Sequence, residues 1–280
     1  MARRAQRRRS GAKEAADSGS INPVEILQDW WQAIRLSASA LTATPFNLFG
    51  MALPKPKKGE VATAVRGFPV IGLAVGLIAA VVYAVAYALG LPPLVSAILA
   101  VATVAFIGGG GNESELARLA DTLISGGSKT QQLARLKEPN IGGYGIVVLI
   151  LCLGLRAGAL ASLATPLAVA AALGASLAVS YAAIAAALFY LPPARRSGFA
   201  FLAGRPDSVQ TVLATLLAAA IALLLLWPVT GVVALAIGAA GAFKFAWFGK
   251  HNLGGTTRAV LGGVQQGAEI GVLLAIVALA

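Results

Sequence analysis

Between Gly108 and Gly145, a chain otherwise almost free of charge gathers Glu113, Glu115, Arg118, Asp121, Lys129, Arg135, Lys137 and Glu138 into one segment. Carboxylates are the groups that hold a hard cation or take a hydroxyl proton, and a lysine amine beside them can pair with a phosphate. The run Gly108–Gly111 suits either a phosphate cradle or the stop of the helix before it. A second set near the C-terminus, Gly254, Gly255, Thr256, Thr257 and Arg258, again combines small residues, hydroxyls and charge. For every acid the alternative of a solvated loop residue stays open, and for those near 113 that of a helix cap. The remaining chemistry is narrow. Cys152 is the only cysteine and His251 the only histidine, which excludes a disulfide framework, a thiolate cluster and a multi-histidine site.

The elements that position these loops follow from composition. The chain is 58% hydrophobic and only 12% charged, against roughly 25% charged in soluble domains, so its solvent is lipid. Runs such as 70–89 and 212–226 carry no charge, and lipid satisfies no backbone groups, so they must be helices. Apolar windows predict an all-α polytopic membrane protein with seven spans, at 68–91, 92–108, 143–165, 166–191, 209–227, 229–248 and 264–280. Three joints, Leu91-Pro92-Pro93, Thr165-Pro166 and Trp227-Pro228, are short and uncharged, and proline suits the first turn of the following helix. Cations mark the opposite ends: Lys55, Lys57, Lys58 and Arg66, then the 109–141 loop, then Arg195, Arg196 and Arg205, then Lys250 and Arg258. By the positive-inside rule those ends and the N-terminus face the cytoplasm.

The net charge of +11 is read as an orientation signal and an attraction to membrane lipids. No nucleic-acid partner is expected, because no basic patch is interleaved with aromatics. Residues 1–20 form a disordered basic tail, and 21–60 an amphipathic helix and linker. Trp30 and Trp31 lie at headgroup depth if that helix is interfacial; packing on the cytoplasmic side of the bundle is the alternative. Residues 61–280 form the transmembrane domain. Two charges fall inside spans. Lys244 is expected to snorkel to the interface, whereas Arg156, mid-helix, reaches either a partner or polar cavity in the bundle interior or a substrate.

Five short motifs occur in order along this topology: Leu41-Thr42-Ala43-Thr44-Pro45; Arg66-Gly67-Phe68-Pro69-Val70-Ile71-Gly72; the 108–121 run with Lys137-Glu138-Pro139-Asn140-Ile141-Gly142-Gly143-Tyr144-Gly145; Ala203-Gly204-Arg205-Pro206; and Gly254–Gly262. Together they resemble the cobalamin synthase family, the adenosylcobinamide-GDP ribazoletransferases, over roughly residues 40–270. The resemblance implies that adenosylcobinamide-GDP is joined to α-ribazole or its 5′-phosphate at the inner membrane, with release of GMP and with magnesium as cofactor. It carries Asp121 and Glu138 over as catalytic carboxylates and magnesium ligands, with Glu113, one helical step off the face of the family's aspartates, as a further candidate ligand, and Lys137, Asn140, Tyr144 and Thr257 as substrate contacts.

Several of the family's acidic positions are replaced. The three aspartates of its first loop stand here at Ser114, Arg118 and Asp121, its histidine at Asn112, and its final Gly-Asp pair at Arg258-Ala259. A guanidinium at Arg118 opposes a cation nearby, so magnesium binding is expected to be weak. The replacements leave a second reading open: a membrane paralogue that keeps the fold and binds a corrinoid or a partner without transfer.

Overall fold

Proline opens and lipid-compatible side chains fill most of the long elements. A computed structural model of the protein describes residues 23–42, 53, 56–163 and 165–280. The basic tail 1–20, residues 43–45 of the first motif and most of the linker lie outside the described residues. The chain divides into two compact units, Met1–Gln32 and Ala33–Ala280. The described helices are α1 (Pro23–Leu41), α2 (Glu60–Ala64), α3 (Phe68–Ala88), α4 (Pro93–Ile107), α5 (Gly111–Ser125), α6 (Lys129–Arg135), α7 (Gly143–Ser162), α8 (Pro166–Tyr190), α9 (Phe199–Ala203), α10 (Ser208–Leu225), α11 (Pro228–Phe248) and α12 (Arg258–Ala278). Among the described residues there is no strand, only an isolated parallel bridge between Pro193 and Thr256.

Six helical segments are long and apolar enough to cross a membrane; a seventh span arises only if α4 and α5, bent by 89° to one another, count as one broken span. The expected span 92–108 is therefore shorter than the sequence suggested. Helix α4 has 15 residues, about 22 Å at 1.5 Å per residue, against roughly 30 Å of hydrocarbon. Its apolar run ends at Ile107, where Gly109 and Gly110 take positive φ (65° and 63°) and turn the chain into α5. The prolines at the joints behave as expected. Pro93, Pro166 and Pro228 each begin a helix, where a missing N–H leaves no hydrogen bond unmade.

Helix α8 is the centre of the bundle, buried along most of its 25 residues and packed by α3, α10 and α12. Its contact with α3 depends on glycine. A Cβ on Gly76 would stand 2.6 Å from the Leu173 carbonyl oxygen, and Gly72, one turn away, meets Leu177 just as closely. Helices α11 and α12 approach in the same manner, with Gly241 against Gly267 and Gly271 against Ile237. Where the hydrophobic effect does not drive helices together, small residues that let backbones touch supply the dispersion contact. The outer faces carry large apolar side chains, Leu167 and Leu224 both above 80% exposed, a surface that water would not tolerate and lipid does.

In the second unit, Ala33 and Ser37 on the C-terminal half of α1 are buried, and the Ser37 hydroxyl donates to the Ala64 carbonyl at 2.8 Å. That half of the amphipathic helix is thus packed on protein; in the first unit Trp31 is exposed. Replacing Gly76 with leucine is expected to push α3 off α8 and to lower stability by about 1–3 kcal/mol or more, the range of core overpacking. Heating of the detergent-solubilised protein, followed by loss of monodisperse material, checks it.

Candidate functional site

The 89° bend after α4 turns the first turn of α5 inward, so that Glu113 enters the bundle instead of the loop surface. There it meets Arg156 of α7, with Nη1 3.1 Å from Glu113 Oε1, while Nη2 of the same guanidinium lies 2.7 Å from Glu269 Oε1 on α12. Arg156 and Glu269 are fully buried. The Gln265 amide donates to Glu269 at 2.7 Å and to the Ser180 hydroxyl at 3.2 Å, and the Gln266 amide donates to Glu113 at 3.3 Å and to Gln265 at 3.0 Å. The contact from Nη2 to Glu269 is an ion pair without hydrogen-bond alignment, and Arg156 Nε has no hydrogen-bond partner among the described residues. Two carboxyl groups face one guanidinium, and each also accepts a hydrogen bond from a glutamine amide. Arg156 thus has its partners in the bundle interior. Helix α12 begins at Arg258, not at 264 as the apolar window suggested, so Glu269 sits about three turns into it and deep in the membrane-spanning part.

Asp121 lies at the far end of α5 and reaches across to the start of α7. Its Oδ2 accepts from the Gly142 amide at 2.6 Å and its Oδ1 from the Gly145 amide at 2.7 Å. A carboxylate at a helix N-terminus satisfies orphan amides and complements the helix dipole. These glycines let the chain lie close on α5: a Cβ on Gly145 would stand 2.6 Å from the Ala117 carbonyl oxygen. Thr257 is likewise a cap, buried, its hydroxyl accepting from the Val260 amide at 3.2 Å at the start of α12. Lys137, Glu138 and Asn140 are exposed on the segment between α6 and α7, and Tyr144 is 59% exposed on the first turn of α7. Asp121 and the turn bearing Tyr144 come together. Glu113 is held apart from them in the Arg156 group, and among the described residues no three His, Cys, Asp or Glu side chains gather where they could hold a metal.

The motif loops do converge. Helix α5 packs on the first turns of α12 so closely that a Cβ on Gly262 would meet the Asn112 carbonyl oxygen and the Glu115 Cβ at 2.9 Å each. The Lys129 amine at the start of α6 presses against Gly254, whose φ of +75° also favours glycine. The loop after α8 is tied to the same place: Ala194 donates to the Thr256 carbonyl at 2.8 Å, and Thr256 donates back to Pro192 at 2.7 Å. Sequence reasoning did not single out what this brings together. Arg118 pairs with Glu115 at 3.1 Å, and the charges of Arg258 and Arg195 act on the same carboxylate. The signal in the sequence was the arginine found at two of the motif positions, 118 and 258.

A cavity of about 680 Å³ lies between α8, α10 and α11, lined by alanines with Tyr190, Trp247, Lys250 and His251 at one end. None of the motif residues proposed as ligands or substrate contacts lines it, so its size does not make it the reacting site. Lys244 is exposed on α11, as a snorkelling lysine would be.

A bundle of apolar-faced helices whose described polar loops meet at one end defines a polytopic membrane protein. The cobalamin-5-phosphate synthase family model matches residues 33–277, and the chain belongs to that family and is a multi-pass membrane protein. The adenosylcobinamide-GDP ribazoletransferase of Bradyrhizobium diazoefficiens is 36% identical over 254 residues, covering 91% of this chain and 96% of that protein. The proteins of the same name from Azorhizobium caulinodans and Rhizobium etli are 39% and 38% identical, covering 80% and 78% of this chain and 86% of each relative. No solved structure matches the chain significantly.

Two expectations follow from the geometry. Arg156→Ala leaves two buried carboxylates without their cation and should cost about 3–5 kcal/mol. The triple change Glu113→Gln, Arg156→Met, Glu269→Gln should recover much of that loss in thermal unfolding. Asp121→Ala removes the α7 cap and should cost about 1–2 kcal/mol, with faster amide exchange confined to residues 142–146.

Proposed function

We propose that this protein joins adenosylcobinamide-GDP to α-ribazole or its 5′-phosphate and releases GMP. The observation that carries the reading is the similarity to three transferases of that name over 78–91% of this chain, together with a family match over residues 33–277 that takes in the bundle and every motif loop. In this reaction a ribose hydroxyl oxygen of the ribazole attacks the phosphorus on the cobinamide side of the diphosphate. The bond from that phosphorus to the bridging oxygen breaks, GMP leaves with the electron pair, and the hydroxyl proton passes to a carboxylate.

We assign that proton to Glu138, the exposed motif acid, since both oxygens of Asp121 already accept amide hydrogens. Asp121 then acts as a positioning residue that holds the turn of Tyr144. Lys137, Asn140 and Tyr144 supply exposed contacts for the substrates. The motif loops and the N-terminus face the cytoplasm of the cell's inner membrane, because cations crowd the loop ends while the joints at residues 90–92, 163–165 and 226–227 carry none.

Magnesium is expected from the family resemblance. The residues present do not fit a ready-made cage, since Asp121 is engaged with amides and Glu113 with Arg156. In this reading a magnesium ion would bind weakly and rest mainly on substrate phosphates, as magnesium often does.

The test is GMP release by the full chain in liposomes supplied with adenosylcobinamide-GDP and α-ribazole phosphate at varied magnesium. Turnover is expected, with a shallow magnesium dependence and a loss of roughly 100-fold or more in kcat for Glu138→Gln, in the range of general-base removal. Binding of adenosylcobinamide-GDP with no release of GMP would overturn the transfer reading in favour of a corrinoid-binding paralogue.

A further inference from the structure

Helix α5, the 192–196 loop and the 254–258 loop bring arginines toward the same place, Arg118 from the first, Arg195 and Arg196 from the second and Arg258 from the third. Arg118 rises from α5 and bonds Glu115 one turn earlier. Arg258 opens α12, and its Nη2 lies so close to Gly111 that a Cβ there would be 3.1 Å away, which sets the guanidinium over the start of α5. Its other face is steadied by the Phe199 ring, 5.4 Å from Cζ. Arg195 follows directly on the 192–194 stretch that is hydrogen-bonded to Thr256. These three charges act on one carboxylate, that of Glu115.

Cations outnumber acids where these loops meet, with Arg118 bonded to Glu115 and Arg258, Arg195, Arg196 and Lys129 on the adjoining stretches, unlike the buried Arg156 group, where the acids outnumber the cation. The arginines are half-buried or exposed, so they are open to a ligand. Helix α5 adds a second feature at the same spot. It has 15 residues and starts at Gly110 without a side-chain cap, so first-turn amides beneath Arg258 are free of a capping side chain. A cleft of only about 20 Å³, with Asn112 and Arg258 on an otherwise apolar lining, opens there, so a diphosphate would lie across its mouth and not inside it. Guanidinium forks and helix-start amides are the two groups that recognise phosphate oxygens best. A doubly substituted diphosphate carries two negative charges, the sign that a cation-rich cluster takes.

We propose that Arg118, Arg195 and Arg258 form a diphosphate-binding clamp that takes the charge of the activated substrate, a task that elsewhere falls to a metal held by carboxylates. The inference rests on the transferase reading above and identifies where its substrate's diphosphate sits. Two of the three arginines stand where the family resemblance places a carboxylate or a glycine, so the charge lost with the acids is replaced by cations that contact the phosphates directly. Arginine needs no deprotonation and no dehydration of a hydrated ion for this role. Glu115 holds the forks apart and in place while the site is empty.

The experiment measures binding of adenosylcobinamide-GDP and its KM in GMP release, using the full chain in nanodiscs. Variants are Arg118→Gln, Arg195→Gln, Arg258→Gln, Arg258→Lys, Glu115→Gln and, as a control, Lys244→Gln. Each arginine-to-glutamine change should weaken binding by about tenfold or more, the range for a charge-assisted contact, with Arg258→Lys intermediate and Lys244→Gln unchanged. Glu115→Gln should tighten binding several-fold, a direction that misfolding does not produce. Binding of cobinamide lacking the GDP group should not respond to any of these changes.

If wild type turns over and the arginine variants keep its affinity and KM, the clamp is overturned and the transfer reading stands. If binding depends on the arginines but no GMP is released, the clamp stands and the transfer reading falls. Failure of wild type to bind adenosylcobinamide-GDP overturns both.

Discussion

The ion group of Glu113, Arg156 and Glu269 is the constraint on which the site depends. A guanidinium fully enclosed among membrane-spanning helices is tolerable only if charge of the opposite sign comes to it. The two acids that do so belong to α5 and α12, and the arginine to α7, so one interaction fixes three helices against each other. Each of those helices carries a motif at its end. The depth of Glu113 sets how far α5 is drawn in, and with it the height of Asn112, Glu115 and Arg118 above the first turns of α12. Such a group adds specificity of arrangement more than stability, because well-packed apolar side chains would cost less to bury.

Around this anchor the motif acids and hydroxyls act as caps. Asp121 closes the start of α7 and Thr257 the start of α12, which places the exposed 137–140 segment and the 254–258 loop on rigid supports. Reactive groups on a surface loop are useful only if the ends of the loop do not move, and side-chain caps achieve that at the junction of loop and helix. The exposed side chains between the caps are then available to substrates, while the capping residues are committed to the backbone.

The bundle beneath is held by close backbone contact. Gly72 and Gly76 let α3 lie on α8, and Gly241, Gly267 and Gly271 do the same for α11 and α12. Helix α12 therefore has its first turns in the loop cluster and its later turns in a dispersion-packed pair, with Glu269 between Gly267 and Gly271. Any tilt of α11 against α12 would be felt at Arg258 and at the Arg156 group together.

The apolar runs, the uncharged joints and the prolines at 93, 166 and 228 determined the helices by themselves, because in lipid a backbone segment without water has only its own amides to satisfy its carbonyls. The order of the motifs determined the family. Helix ends were less legible. The start of α12 at Arg258 escaped the apolar window because its first turns are rich in glycine, and the break after Ile107 shortened α4. Only the tertiary structure decided what the charges do. Arg156 reads as an isolated charge in a span until α5 and α12 bring Glu113 and Glu269 to it, and Asp121 reads as a free acid until the amides of Gly142 and Gly145 reach it. Arg118, Arg195 and Arg258 lie on three separate stretches of chain and become one cationic cluster only when folding brings those stretches together. An electrostatic partner is chosen by distance in space, which local pattern does not encode, whereas a helix is chosen by hydrogen bonds four residues away, which it does.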